Sequence, residues 1–348
     1  MKKLSIIIPL YNTAKDLLIE CLESCKDNED VEVIVIDDGS TINYKEIINN
    51  YNVRYIKIPN GGVSVARNLG LTCATGEYIT LLDSDDKMAN INKILANLQK
   101  HNIIITRNYL LKPEGQIENR YDYNETRTIP SEDLKRNMLV LEGRKADCIE
   151  PVWAKFYKRD FLRKNRLSFN EKVRRGEDVL FNYEAFSREP EVLYLNEFSY
   201  IYRMDNPSVT RTFDKIMDTN TYKLLEEFES LFDKLNIDDP NYPTYVFRLI
   251  VRLMRKYFVH LTLEEFNQKI DLLFNNVIIN YYLIFTDPSK LDKYKQKLHR
   301  LILEKDKINL YKYLRDVCDK KLLKKWFYNN QKSDNIIIER RNVKWKNL

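Results

Sequence analysis

Glycine is scarce, with 8 in 348 residues and none after Gly176. The turn-rich part of the chain therefore ends there, and beyond about residue 215 the apolar spacing is helical. Cysteine is equally thin: Cys21, Cys25, Cys73, Cys148 and Cys318 are odd in number and form no CxxC pair. That excludes a disulfide framework or a zinc site and leaves structural thiols, with Cys21 and Cys25 one helical turn apart on an apolar face. His101, His260 and His299 stand apart from one another and offer neither a ligand set nor a base. No apolar run reaches bilayer length. No glycine loop ends in Gly-Lys-Ser/Thr, which disfavours P-loop hydrolysis. There is no low-complexity linker and no internal repeat.

Charge is uneven. Residues 291–348 carry 17 Lys/Arg against 7 Asp/Glu, a net charge near +10, while the whole chain is +6. The part before residue 291 is therefore slightly acidic. The start, Met1-Lys2-Lys3 followed by a short apolar run, is too short for a signal peptide and reads as a first strand. The expectation that follows is a cytoplasmic protein.

Strand and helix patterns alternate through the first hundred residues. Strands are expected at Ser5–Pro9, Val31–Ile36, Val53–Ile58, Gly76–Leu82 and Asn102–Thr106. Helices are expected at Ala14–Cys25, about Tyr44–Tyr51, Val63–Leu71 and from Asp86 to about Lys100. This alternation predicts an α/β fold with a mostly parallel sheet flanked by helices. Right-handed crossovers then bring every strand's carboxyl end to one edge, where ligands bind. Residues 107–130 read as a β-hairpin or insertion around Pro113-Glu114-Gly115. Ser131-Glu132-Asp133-Leu134 reads as a capped helix start. A strand is expected at Val152–Tyr157, a helix at Arg159–Asn165, another helix from Glu177, and a strand-rich stretch at Val192–Tyr202. Long amphipathic helices follow near 216–236, 244–259, 263–285 and 290–328. The domains expected are 1–212, made of a 1–106 half and a 107–212 half, and a helical, basic region over 213–348.

Three strand ends carry unusual chemistry. Tyr78–Leu82 runs into Asp83-Ser84-Asp85-Asp86, where three acids repel one another and call for a counter-charge. A divalent cation carrying a phosphate ligand fits that need. Asp37-Asp38-Gly39-Ser40 can present a carboxylate to a ring N–H of a base. Gly61-Gly62 opens a helix that carries Arg67, within reach of a phosphate or base edge. Further on, Glu177-Asp178 at a helix start can supply a general base. Each motif alone also has an ordinary reading as a turn or an N-cap. Their convergence on one sheet edge favours a ligand site.

The ordered set Ser5-Ile6-Ile7-Ile8-Pro9-Leu10-Tyr11-Asn12, Val35-Ile36-Asp37-Asp38-Gly39-Ser40, Gly62 with Ala66-Arg67-Asn68, Leu82-Asp83-Ser84-Asp85-Asp86 and Gly176-Glu177-Asp178 resembles family 2 glycosyltransferases of the GT-A, Rossmann-like fold. The likeness covers about residues 4–210. Trp153-Ala154-Lys155-Phe156-Tyr157 resembles the segment that precedes the acceptor region in bacterial cell-surface members. The resemblance implies inverting transfer of a hexose or N-acetylhexosamine from a UDP-sugar to a hydroxyl of a glycan, glycolipid or glycoprotein, as in exopolysaccharide synthesis. It implies Pro9, Tyr11 and Asp38 at the nucleoside, Arg67 near the uracil or diphosphate, and Asp83 with Ser84 at the ribose or sugar. It further implies Asp85 on Mn²⁺ or Mg²⁺, Asp178 as base, Glu177 positioning the acceptor, and Arg203 near the diphosphate. Asp86 is left as a helix cap.

The basic aromatic stretch from Tyr294 to Lys325 reads first as helical packing. Peripheral contact with an anionic inner membrane face and self-association are the sharper alternatives. No recognition motif accompanies the lysines, so nucleic acid is not expected. A sugar-nucleotide-binding module without catalysis and a sugar-phosphate nucleotidyltransferase are the competing functions. Asp178 counts against the first. The second would need a glycine- and arginine-rich loop after the first strand, where Pro9-Leu10-Tyr11-Asn12-Thr13 stands instead.

Overall fold

All seven residues of the first strand, β1 (Leu4–Leu10), are buried, as expected of a central strand covered on both faces. Ile6, Ile7 and Ile8 are fully inaccessible, and each such side chain contributes about 1.5–3 kcal/mol of burial. The computed structural model describes residues 2–26, 28–98, 101–112, 115, 117–120, 124–140, 149–204 and 217–317.

After β1 come α1 (Lys15–Glu23), β2 (Val31–Asp38), α2 (Lys45–Ile48), β3 (Arg54–Ile58), α3 (Val63–Cys73) and β4 (Tyr78–Leu81). These four strands pair in parallel in the order β3-β2-β1-β4, with Ile7 facing Ile34 on one side and Leu81 on the other. The helix α3 lies so close to β1 that a Cβ on Gly70 would sit 2.3 Å from Ile7 Cγ2. Only glycine permits that approach. The thiols of Cys21 and Cys25 are buried and free.

The next elements are β5 (Lys87–Met88), α4 (Ile91–Asn97), β6 (Ile103–Leu111), β7 (Ile117–Arg120), β8 (Arg127–Pro130) and α5 (Ser131–Val140). Then follow β9 (Lys155–Lys158), α6 (Arg159–Asn165), α7 (Glu177–Ser187) and β10 (Glu191–Arg203). The sheet continues from β4 through β9, β6 and β10 to β5, with β7 on β6 and β8 on β10. β9 runs antiparallel to both β4 and β6. The result is the expected mostly parallel α/β sheet with an antiparallel interruption.

Several local expectations give way to tertiary contacts. No helix starts at Asp86, because Lys87 and Met88 pair with Ile201 and Tyr200 and keep the chain extended. α4 begins only after Asn90, which is left-handed at φ 50°. The strand expected from Val152 starts at Lys155, because Ala154 is also left-handed, at φ 53°. Ser131 is the first residue of α5 rather than its cap, and its hydroxyl is buried with no partner among the described residues. The helix expected over Tyr44–Tyr51 is one turn long. The hairpin expected after residue 107 forms between β6 and β7.

The chain packs as two units, Met1–Tyr245 and Val246–Leu348. The first unit also includes α8 (Met217–Leu235), on which Phe228 and Phe232 meet Tyr183, Tyr242 and Tyr245 in an aromatic cluster. α9 spans Tyr242–His260. The second unit continues with α10 (Leu263–Asn275), α11 (Val277–Phe285), a short 3₁₀ turn at Pro288–Lys290, α12 (Lys293–Leu303) and a helix over 307–317. The single helix expected over 263–285 divides at Asn276, whose side chain accepts from Ile279 N and caps α11. The one expected over 290–328 breaks before residue 307, with Lys305 at φ 54°. His299 is buried in the second unit and bonds the Leu283 carbonyl at 2.7 Å, a packing role. Cys148, Cys318, Leu322, Trp326 and Phe327 lie outside the described residues.

Candidate active site

The loops after β1 and β2 are laced together. Asn12 Oδ1 accepts from Thr41 N at 2.9 Å, and Asn12 N donates to Ser40 Oγ at 3.0 Å. Asp37 is fully buried and accepts from Ser40 N and Tyr55 Oη. Asp38 faces the next loop, with Oδ1 accepting from Gly61 N at 2.7 Å and Oδ2 from Gly62 N at 2.9 Å. The Asp38 carboxylate thus sets the height of the glycine loop ahead of α3, and its remaining lone pairs are what it can offer a ligand. Gly39 sits at φ +75°, where a Cβ would come within 2.6 Å of Asn60 N. Pro9 is buried in β1 opposite Ile36, and Tyr11, two residues on, is 55 % exposed at the same edge.

The acid loop after β4 is held from two sides. Ser84 Oγ pairs with Thr13 Oγ1 at 2.6 Å. Asp83 N donates to Tyr200 Oη at 3.3 Å. Asp86 is buried and caps no helix. It accepts from Tyr200 Oη at 2.6 Å and from Arg203 N at 2.7 Å. Burial, together with repulsion from Asp83 and Asp85, pushes the Asp86 carboxyl well up, against the pull of those two donors. The Arg203 side chain grips the same loop: Nε donates to the Asp85 carbonyl at 3.0 Å and Nη2 to Glu20 Oε2 at 2.7 Å. Lys87 and Arg203 hold Glu20 below the usual carboxylate range. Trp153 stacks on Tyr200, with ring centres 4.7 Å apart.

Arg67 joins the two halves of the site. Its Nη1 lies 2.6 Å from Asp178 Oδ1 and 3.0 Å from Glu177 Oε1, and its Nη2 lies 3.5 Å from Asp83 Oδ1. Its guanidinium rides 5.1 Å from the centre of the Phe169 ring. Burial works against the charge of Arg67, but Asp178, Glu177 and Asp83 outweigh it and hold it firmly protonated. Burial and Asp178 push Glu177 up to about 8, with Arg67 opposing. Burial raises Asp83 to about 6, Arg67 opposing while Asp178 and Asp85 add to the rise. Glu177 and Asp178 open α7 behind Gly176, and the helix has no side-chain cap bond. The favourable helix dipole therefore acts on acids that remain available for other work. Asn182, one turn along α7, donates to the carbonyls of Glu150 and Pro151, and Val152 N reaches Asp178 Oδ2 at 3.4 Å.

Four of the residues singled out in the sequence, Arg67, Asp83, Glu177 and Asp178, are thus gathered around one cation. Pro9, Tyr11 and Asp38 share the neighbouring strand ends. Arg203 is engaged behind the acid loop. Tyr200, Glu20 and Asn12 were missed. Tyr200 and Glu20 stand in no local motif and reach the loops only through the sheet, while Asn12 ends the first motif and its bonds to Ser40 and Thr41 carried no signal there. Among the described residues no three His, Cys, Asp or Glu side chains gather as a metal-holding group. The mutual repulsion of Asp83, Asp85 and Asp86, only partly offset by Arg67, is nevertheless the electrostatic setting that a cation would relieve.

The sequence profile described as Glycosyl transferase family 2 matches residues 5–166. The glycosyltransferase GlyG of Streptococcus pneumoniae is 30 % identical over 224 residues, covering 60 % of this chain and 73 % of GlyG. The chain belongs to glycosyl transferase family 2. EpsJ of Bacillus subtilis, an uncharacterized glycosyltransferase, is 30 % identical over 221 residues, covering 59 % of this chain and 62 % of EpsJ. Among such relatives the chain spans from 32 % to 73 % of their length. The crystal structure of Staphylococcus aureus TarS 1–349 in complex with UDP-GlcNAc superposes with a TM-score of 0.65 at 18 % identity, covering 91 % of this chain and 92 % of that one. That likeness establishes the fold: a GT-A sheet with flanking helices followed by a helical region. The profile match ends at residue 166, so Glu177 and Asp178 lie beyond it. Among the described residues no helix is long and apolar enough to cross a membrane.

Proposed function

We propose that this family 2 chain is a metal-dependent inverting glycosyltransferase that moves a hexose or N-acetylhexosamine from a UDP-sugar to a hydroxyl of a glycan, lipid-linked or protein-linked acceptor. One observation carries this reading: the acid of the donor loop, Asp83, and the base candidate, Asp178, share the guanidinium of Arg67. A module that only bound sugar nucleotides would have no use for a carboxylate delivered there from α7. The UDP-GlcNAc in TarS supports a UDP-sugar as donor.

Tyr11, exposed beside Pro9 and Asp38, stacks on the base, and Asp38 accepts its ring N–H. Asp83 and Ser84 face the ribose or sugar. Asp85 would hold Mn²⁺ or Mg²⁺, with the diphosphate and water as its further ligands. When bound, the cation supplies neutralisation of charge on the departing diphosphate. Asp178 takes the proton of the acceptor hydroxyl as that oxygen bonds the anomeric carbon from the face opposite UDP. The bond from carbon to diphosphate breaks in the same displacement. Glu177, raised to about 8 and so protonated at neutral pH, donates a hydrogen bond that orients the acceptor. Holding both substrates in line supplies much of the rate. Arg203 acts on the diphosphate through the acid loop it braces. The placement is cytoplasmic, with peripheral membrane contact or self-association through the C-terminal helices.

The full chain is incubated with a panel of UDP-sugars, UDP release is measured with and without Mn²⁺ or Mg²⁺, and UDP binding is followed by calorimetry. Metal-dependent release with at least one donor is the expected result. Undiminished release in EDTA would overturn the metal assignment, and no UDP binding at all would overturn the donor assignment.

A further inference from the structure

Away from the strand ends, between α3 and α6, lies a cleft of about 390 Å³, within the range of small-molecule sites. Three arginines line it: Arg159, Arg163 and Arg166. The first two are one turn apart on α6, and the third follows its last turn, left-handed at φ 52°. The four-residue spacing puts Arg159 and Arg163 on one face of α6, and Arg166 lines the same cleft from the turn that follows. Arg159 donates from Nη1 to the Thr75 carbonyl at 2.5 Å, and its Nε is buried with no hydrogen bond. Asp160 Oδ1 lies 3.9 Å from that Nε, and the Asp160 side chain is 79 % exposed. The side chains of Arg163 and Arg166 make neither hydrogen bond nor ion pair among the described residues. Leu71, Ile79, Leu162 and Leu167 form the apolar floor, and Ser168 adds a hydroxyl at the rim.

Three guanidinium groups lining one cleft repel one another, and among the described residues no carboxylate pairs with Arg163 or Arg166. The planar forks of arginine match phosphate oxygens in pairs. An apolar floor beneath them selects a phosphate attached to a carbon body over the free ion. The glycosyl-transfer site makes no use of these residues.

We propose that this cleft binds an organic phosphate, its phosphoryl group held by Arg163 and Arg166 with Arg159 and its apolar carbons on Leu71 and Leu162. The site is independent of the donor pocket and does not require the transfer reaction.

The probe is hexyl phosphate, followed by ³¹P NMR titration against the full chain, with inorganic phosphate and hexanol as controls. Hexyl phosphate is expected to bind one per chain and more tightly than inorganic phosphate. The Arg163→Glu/Arg166→Glu variant is expected to lose tenfold or more in affinity. Both side chains are exposed, so the variant should keep its fold, and Arg163→Ala with an unshifted melting midpoint repeats the test if it does not. Saturating UDP is expected to leave the titration unchanged, and the comparison of arginine variants stands whether or not UDP binds. Equal affinity in the wild type and the double variant overturns the site, as does displacement of hexyl phosphate by UDP. Flotation with phosphatidate vesicles, set against phosphatidylcholine vesicles, then assigns the phosphate to a lipid headgroup if arginine-dependent co-flotation is seen. Hexyl phosphate binding without co-flotation assigns it to a soluble metabolite.

Discussion

Arg67 Nη1 lies 2.6 Å from Asp178 Oδ1, although the two residues are 111 positions apart. The pairing ties the helix behind the glycine loop to the helix that carries the proposed base. Because Nη2 of the same guanidinium reaches Asp83, one cation serves the acid loop, Glu177 and Asp178 at once. Its removal leaves Asp83 and Asp178 without their shared counter-charge and Glu177 without a hydrogen-bond donor.

Arg67→Ala is therefore expected to destabilise the fold by about 3–5 kcal/mol, the usual cost of stripping one partner from a buried ionic cluster. Arg67→Lys should cost less, because the charge remains while the fork that spans Asp83 and Asp178 is lost. Urea denaturation at pH 7 measures both. An alanine variant as stable as the wild type would show that the cluster is not a structural joint.

Glu177 and Asp83 bind their protons more tightly in the folded chain than their ordinary values of 4.5 and 3.8 imply, at about 8 and about 6. A folded state that holds more protons than the unfolded one loses stability as pH rises. Their joint contribution should decline from about pH 4 to pH 8, first through Asp83 and then through Glu177. Glu177→Gln should flatten the upper part of that decline. Melting midpoints at half-unit pH steps read it directly, and a wild-type curve rising between pH 6 and 8 by an amount that Glu177→Gln leaves unchanged would contradict the assignment.

Asp178→Asn keeps the shape of the proposed base but removes its charge. Sugar transfer should fall by two orders of magnitude or more, while UDP affinity stays nearly constant. Calorimetry beside a UDP-release assay separates the two. Lost UDP binding would move Asp178 from the base position to the donor pocket.

Tyr200 both donates to Asp86 and accepts from Asp83 N. Tyr200→Phe should cost roughly 1–3 kcal/mol, because two polar groups of the acid loop lose a partner that no water easily replaces. If the acid loop sets the donor pocket, UDP affinity should fall with stability. A variant that melts early but binds UDP as before would limit Tyr200 to a packing role.

Motifs that form locally were legible. The β1 run, the Asp37-Asp38-Gly39 turn, the glycine loop, the acid loop and the start of α7 all lie where periodicity and turn chemistry put them. The elements that shifted are those whose ends depend on distant partners. Lys87-Met88 became a strand because β10 offered an open edge, and Val152–Ala154 did not become one because Ala154 adopts a left-handed bend. In the site, Asp86 reads locally as a cap. It becomes a buried acceptor because Tyr200 and Arg203 approach from more than a hundred residues away. Arg203, read as a diphosphate contact, is turned onto Glu20 and the Asp85 carbonyl for the same reason.

The sequence by itself determined the parallel α/β core, the family likeness and the set of acids at the strand ends, because strand period, crossover handedness and turn residues are local or nearly local properties. Tertiary structure decided which charges meet. Arg67 could have faced a diphosphate or another side chain, and only the tertiary placement of the start of α7 put Glu177 and Asp178 on its guanidinium. Charge pairing depends on distances between separate elements, and at these positions a few ångströms decide whether an arginine meets a ligand or a carboxylate of its own chain.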